Sequence, residues 1–172
     1  SELFVLGGGS NMLLTQDIQK TVLHINLKGI SVVGEDQDKI YVKAAAGENW
    51  HDFVMYCLRH NYGGLENLSL IPGNVGTSPI QNIGAYGVEL KDVMSYCEAL
   101  NRQTLATKTF YTKDCGFGYR DSIFKSKFKD DYIITAVVFE LTKTHHELNI
   151  GYGAIQNELN AQNKILPSIK DI

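Results

Sequence analysis

The hydrophobic pattern of the chain predicts a series of short strands. In Lys39–Ala45, apolar Ile40, Val42 and Ala44 alternate with their neighbours, which is typical of a strand with one buried face. Residues 132–141 are apolar on both faces, so we expect a central strand that is covered on both sides. The remaining predicted strands are a buried one at Leu3–Leu6, then residues 21–25, 30–33 and 93–100, and Thr107–Tyr111 after a hairpin-like connection.

A helical period is clearest after residue 49. Apolar residues recur there at positions i, i+3, i+4, i+7 and i+8, namely Trp50, Phe53, Val54, Cys57 and Leu58. Asn49 can cap the start of this helix, and Gly63 and Gly64 follow its end. A weaker pattern predicts a second helix over residues 154–162. Because strands and helices interleave irregularly, the pattern indicates an α+β fold rather than a regular βαβ series.

The composition narrows the class of protein. The chain has 172 residues, of which 44% are hydrophobic, which suits one domain or two small lobes that share a core. Its formal net charge of −3 argues against a nucleic-acid partner, which would favour an excess of Lys and Arg. No apolar stretch approaches the length that spans a bilayer, and the 3 cysteines have no paired spacing. We therefore expect a cytoplasmic protein without a membrane partner.

Both ends of the chain fall within predicted elements rather than outside them. Residue 1 is Ser rather than Met, and a strand is predicted almost at once. Residues 167–172 resemble the start of a helix with Ser168 as its N-cap, but a single helical turn is not stable alone. We interpret residues 1–172 as a fragment of a longer protein.

The first candidate for chemistry is the run GGGSN at residues 7–11, directly after a predicted strand. Glycines allow positive φ, so successive N–H groups can turn inward and form an anion-binding nest. The run is neither a dinucleotide-binding fingerprint, since Met12 stands where a glycine is needed, nor a P-loop. From these residues alone, phosphate binding and a purely structural turn are equally good interpretations.

The second candidate is the segment of residues 71–87, IPGNVGTSPIQNIGAYG. Proline and glycine fix its path, and its small residues permit close approach to a flat ligand. The alternative is an ordered surface loop packed by its own apolar residues. The mixture of apolar and hydrogen-bonding side chains favours ligand binding.

Two further features concern charged or metal-ligating residues. Arg120 lies among aromatic and apolar residues in the segment 116–124, and it must either pair with Asp121 or meet an anion from elsewhere. His145 and His146 are adjacent and would point in opposite directions from an extended segment, so we predict no metal site.

Four motifs in this order resemble one enzyme family. They are GGGSN at residues 7–11, AGENW at 46–50, QNIGAYG at 81–87 and FGYRDS at 117–122. Together they closely resemble the UDP-N-acetylenolpyruvoylglucosamine reductases of bacterial peptidoglycan precursor synthesis. The similarity runs from about residue 3 to residue 141. It weakens after residue 142, although residues 151–153 resemble the tyrosine-bearing loop of the type I branch of the family.

The resemblance implies an FAD-binding domain of the vanillyl-alcohol oxidase (PCMH) type, with two small α+β lobes and the flavin between them. The residues implied to hold the pyrophosphate are Gly8, Gly9, Ser10 and Asn11. Those implied to line the flavin and its phosphate–ribityl arm are Gly73, Thr77, Ser78, Gln81, Ile83 and Gly84. Arg120 matches the arginine that stabilises an enolate formed during reduction, and Tyr152 would cover the phosphates of the UDP-sugar substrate.

In this family NADPH reduces FAD, and the enolpyruvyl group of the substrate then takes a hydride. The resemblance also implies that a proton-donating serine and an assisting glutamate lie in a C-terminal domain beyond these residues. We therefore expect residues 1–172 alone to bind FAD weakly or not at all and to be inactive. Two alternatives stay open: another FAD-dependent oxidoreductase of the same superfamily, and a non-catalytic nucleotide-binding module.

Overall fold

The computed structural model describes residues 3–172 and contains nine strands and two α-helices. The strands are β1 (Leu3–Leu6), β2 (Thr21–His24), β3 (Ile30–Glu35), β4 (Lys39–Ala45), β5 (Gly84–Ala85), β6 (Val88–Glu89), β7 (Met94–Asn101), β8 (Thr107–Tyr111) and β9 (Tyr132–Thr142). The helices are α1 (Trp50–Arg59) and α2 (Ile155–Ala161), and short 3₁₀ turns lie at Glu66–Leu68, Val75–Ile80, Leu90–Asp92 and Thr112–Asp114. The mixture confirms the α+β prediction.

The main sheet has five strands in the order β3-β4-β9-β7-β8, and all its neighbours are antiparallel. The central place of β9 confirms the prediction from its two apolar faces. In β4, Ile40, Val42 and Ala44 are buried, as the alternation predicted. The hairpin between β7 and β8 is also confirmed.

Helix α1 covers one face of this sheet. All five residues of its apolar stripe are buried. The Phe53 ring packs on Phe139 of β9 with centroids 4.8 Å apart, and the Trp50 ring lies 5.8 Å from the same residue. Asn49 caps the helix, since its side chain accepts a hydrogen bond from the Asp52 N–H at 3.1 Å.

A separate small sheet pairs β1 with β2 in parallel. Parallel neighbours need a long crossover connection, and here residues 7–20 supply it, so the glycine run begins the crossover. The prediction that Leu3–Leu6 is buried was wrong: these residues are half-buried and β2 is exposed, because this sheet has only two strands among the described residues.

Other differences from the predictions are local. The observed β2, β3, β7, β9 and α2 differ from their predicted bounds by one or two residues at an end. Residues 167–172 form a turn rather than a helix: Ser168 O accepts from the Asp171 N–H, and the Asp171 carboxylate accepts from Ser168. The three cysteines are free and buried. None of the helices in residues 3–172 combines the length and apolar character needed to cross a bilayer.

Candidate functional site

The two glycine-rich segments meet in space. A β-carbon built on Gly73, where φ is +121°, would lie 3.1 Å from Ser10 Oγ and 3.3 Å from Thr77 Oγ1. A β-carbon on Gly7 would lie 2.6 Å from Thr77 Cγ2. Only residues without a side chain can therefore let the β1–β2 crossover approach the 3₁₀ turn Val75–Ile80 so closely.

A polar contact also joins the two segments. Asn11 Nδ2 donates to Gln81 Oε1 at 3.3 Å, and Gly8 lies against the Asn74 side chain, whose Oδ1 would be 3.0 Å from an added β-carbon. Asn74 belongs to the segment of residues 71–87, but nothing in the sequence of that segment distinguished Asn74 from its neighbours.

A cleft of about 360 Å³ opens between these segments. The predicted cofactor residues that line it are Gly8, Gly9, Ser10, Asn11, Thr77, Ser78, Gln81 and Ile83. Gly73 lies behind them, between the Ser10 and Thr77 hydroxyls, and Gly84 follows Ile83 outside the lining. Trp50, from the AGENW motif, and Ile71, from the segment of residues 71–87, add apolar walls, although neither was predicted as a cofactor residue.

The free donors of this cleft come from the glycine run. Among the described residues, the backbone N–H groups of Gly8, Gly9 and Ser10 have no protein acceptor. By contrast, the Thr77 hydroxyl donates to Asn74 O at 2.7 Å and the buried Ser78 hydroxyl to Val75 O at 2.6 Å. These backbone amides are therefore available to bind an anion in the cleft, whereas the Thr77 and Ser78 hydroxyls already have acceptors.

A second cleft of about 380 Å³ adjoins the first across the Gly7–Thr77 contact. Its walls are largely apolar and include Ile25, directly after β2, and Ile134 from β9. Arg102 lines it and donates to Leu3 O at 3.2 Å and Asp130 O at 2.8 Å, but within residues 3–172 it makes no ion pair with a carboxylate. The linings of the two clefts share Val5, Gly7, Thr77 and Ile80, and we call the two adjoining clefts the groove. The first cleft holds the free donors, and Arg102, Lys125 and Lys129 line the second.

Arg120 contacts the segment of residues 71–87 at Gly84, outside the lining of the first cleft. Its φ is +53°, and its Nη2 donates to Gly84 O at 2.8 Å. The alternative in which Asp121 neutralises Arg120 is wrong, since the described residues contain no ion pair to this guanidinium. The charge of Arg120 acts on Glu89, whose pKa is lowered chiefly by its hydrogen bond to Lys91 and to a smaller extent by Arg120.

Tyr152 lies beside the end of the segment of residues 71–87. Its exposed ring meets the Tyr86 ring edge-on, with centroids 6.3 Å apart. Asn67 fixes this region by donating to Tyr86 O at 3.2 Å and to Asn149 O at 2.7 Å. The structure thus brings Tyr152 and Arg120 to the C-terminal end of the segment whose earlier residues line the cleft, and their individual roles stay predictions.

The groove suits an elongated dinucleotide. Backbone N–H groups and helix-like turns are the usual donors to phosphate oxygens, and the glycine run supplies free N–H groups to the first cleft. The apolar walls on both sides suit two flat ring systems. The residues present therefore fit a bound FAD.

A sequence comparison defines the class of protein. The family described as "FAD binding domain" matches residues 2–104, and the chain belongs to this family. This membership agrees with the fold and with the groove between the two glycine-rich segments.

Similar proteins narrow the class further. The chain is 56% identical over 169 residues to a UDP-N-acetylenolpyruvoylglucosamine reductase of Flavobacterium johnsoniae, with 98% of this chain and 50% of that protein covered. A protein of the same name from Amoebophilus asiaticus is 48% identical, with 97% and 49% covered. The chain spans about half the length of the curated relatives it matches. The predicted resemblance to this family is confirmed.

A solved structure supports the fold. The crystal structure of UDP-N-acetylenolpyruvylglucosamine reductase (MurB) from Thermus caldophilus matches with a TM-score of 0.66 and 24% sequence identity. The match covers 96% of this chain and 57% of the chain of the Thermus caldophilus protein.

Proposed function

We propose that residues 1–172 form the FAD-binding part of a UDP-N-acetylenolpyruvoylglucosamine reductase that acts in the cytoplasm on a peptidoglycan precursor. The observation that carries the proposal is the contact between the two glycine-rich segments, because the free backbone donors of Gly8, Gly9 and Ser10 line the cleft between these segments. The printed names of the relatives supply the substrate class. Three free, buried thiols suit a reducing compartment.

In this proposal the amides of Gly8, Gly9 and Ser10 hold the diphosphate of FAD, and the Asn11–Gln81 contact keeps the two segments together. Gly73 and Thr77 shape the same place, while Ser78, Ile83 and Gly84 follow the flavin arm. Arg102 adds positive charge near the anionic bridge. In each case the protein's own residues bind the cofactor, orient it or bring positive charge near its phosphates.

The proposed overall reaction converts NADPH, a proton and the enolpyruvyl ether of UDP-N-acetylglucosamine into NADP⁺ and UDP-N-acetylmuramate. Bound FAD would supply the hydride transfer from NADPH to the enolpyruvyl double bond. The electron pair of that bond moves onto the substrate carboxylate as an enolate, which a proton then quenches. Arg120 would stabilise the enolate charge, and losing such a fixed cation costs roughly 10²–10³ in rate.

Tyr152 would cover the phosphates of the substrate, since it is exposed beside the same end of the groove. The remaining catalytic groups are proposed to come from the rest of the full-length protein. This division agrees with the relatives, of which this chain matches about half.

The test uses the full-length protein purified with its flavin. We expect flavin absorbance, and NADPH oxidation that depends on adding the enolpyruvyl nucleotide. Flavin absorbance with NADPH oxidation on a sugar or lactone instead would favour another oxidoreductase of the superfamily. A colourless protein that still binds nucleotides would refute the enzyme and favour a binding module.

A further inference from the structure

Asn82 is a buried polar residue that ties three segments together. Its exposed fraction is 0%. Its Nδ2 donates to Gly118 O at 3.0 Å, and its Oδ1 accepts from the Lys91 N–H at 3.0 Å. Because a buried amide that loses its partners costs free energy, both contacts are held firmly.

Ser122 makes a second link between the same loops. It is 1% exposed, and its Oγ donates to Ile80 O at 2.7 Å. The same oxygen accepts from the Phe124 N–H at 3.2 Å. Asn82 and Ser122 therefore attach both flanks of one short turn to the segment of residues 71–87.

Arg120 lies in the turn between these two links. The turn is closed by reciprocal backbone hydrogen bonds between Gly118 and Asp121, at 3.1 and 3.3 Å. Arg120 has a φ of +53°, a region that L-residues adopt at a cost unless their surroundings impose it. Its guanidinium then reaches Gly84 O, on the same segment that Asn82 belongs to.

We propose that Asn82 is a positioning residue that fixes Arg120 relative to the flavin site, with Ser122 as the second anchor. Asn82 itself lies outside the lining of the cleft and acts through the Gly118–Asp121 turn. The inference rests on the proposed function, since it assigns Asn82 to the step that Arg120 assists.

The test is a double-mutant cycle in the full-length holoenzyme, with flavin content, reoxidation by substrate and amide hydrogen exchange as readouts. Asn82→Ala should keep FAD and leave KM little changed, but slow reoxidation roughly 10²-fold, since a misplacement of about 1 Å has an effect of that order. In the Arg120→Ala background, Asn82→Ala should have almost no further effect, because the residue through which it acts is gone.

Hydrogen exchange gives a readout that does not depend on turnover. Asn82→Ala should speed exchange at the Tyr119 and Arg120 amides. The matched control is Asn101→Ala, which removes two side-chain hydrogen bonds at the β7–β8 turn and should change neither reoxidation nor exchange at residues 119 and 120. If Asn82→Ala does not fold, Ser122→Ala is tested in its place with the same expectations.

Additive effects of Asn82→Ala and Arg120→Ala, or unchanged exchange in the turn, would overturn the positioning role while leaving the proposed function intact. A wild-type holoenzyme that contains flavin but does not oxidise NADPH on addition of the enolpyruvyl nucleotide would overturn the proposed function and this role together.

Discussion

Replacing Gly7 with alanine tests whether the two glycine-rich segments must touch in order to bind the cofactor. The new β-carbon would lie 2.6 Å from Thr77 Cγ2, whereas carbon atoms pack best at about 3.5–4.0 Å. The segments must therefore separate by about 1 Å. Forcing extra volume into such a packed contact costs about 1–3 kcal/mol.

That cost converts directly into affinity if it falls on the arrangement that binds FAD. Each 1.4 kcal/mol of lost binding free energy raises Kd about tenfold. A cost of about 1–3 kcal/mol should therefore make Gly7→Ala bind FAD roughly 5- to 150-fold more weakly. The measurement is quenching of flavin fluorescence as the full-length apoprotein is titrated with FAD. Thr77→Ser removes the Cγ2 methyl and keeps the hydroxyl, so in the Gly7→Ala background it should restore most of the affinity.

Gly34→Ala is the matched control. Its β-carbon would meet Tyr41 Cδ2 at 3.6 Å, an ordinary contact in the edge strand β3, and FAD affinity should stay unchanged. Wild-type affinity in Gly7→Ala, or failure of Thr77→Ser to restore binding, would refute the reasoning that the contact shapes the site.

Three further predictions concern charged and buried groups. Arg120→Lys keeps the charge but loses the planar fork, so FAD should stay bound while reoxidation by substrate slows roughly 10²-fold, measured by stopped flow. Arg102→Gln should weaken FAD binding roughly two- to fivefold by fluorescence titration. The hydrogen bond from Lys164 lowers the pKa of Asp171 below its usual value of 3.8. The ionised carboxylate therefore stabilises its turn above pH 3.8, and this stabilisation is lost as the pH falls further. Asp171→Asn should abolish this acid dependence, measured by hydrogen exchange of the turn.

Each of these predictions has a result that contradicts it. An unchanged rate of flavin reoxidation in Arg120→Lys would show that the planar guanidinium has no role in the mechanism. Arg102→Lys serves as the control for charge, and equal affinity of Arg102→Gln and wild type would exclude a role for that charge. The Asp171 prediction fails if the wild-type turn exchanges equally fast at pH 3 and pH 7 after correction for intrinsic rates.

The sequence by itself determined the local elements, because each has a period that depends only on its own geometry. The stripe from Trp50 to Leu58 predicted α1, and the two apolar faces of residues 132–141 predicted the centre of the sheet. The four motifs also pointed to the correct family, since their residue types and order are specific. The bounds of strands were less certain, as at β3, where the strand continues past Val33.

Only the tertiary structure decided which of these residues meet. Gly7 and Thr77, or Asn82 and Gly118, are far apart along the chain. Their contacts depend on how the loops fold together and on how the 3₁₀ turn Val75–Ile80 packs against β9. The same reason explains the wrong predictions. Leu3–Leu6 is only half-buried because its sheet has two strands in the described chain, and Arg120 turns away from its neighbour Asp121 because its left-handed backbone directs it to Gly84. A one-dimensional pattern reports the periodicity of one element, whereas a site is a property of contacts between several.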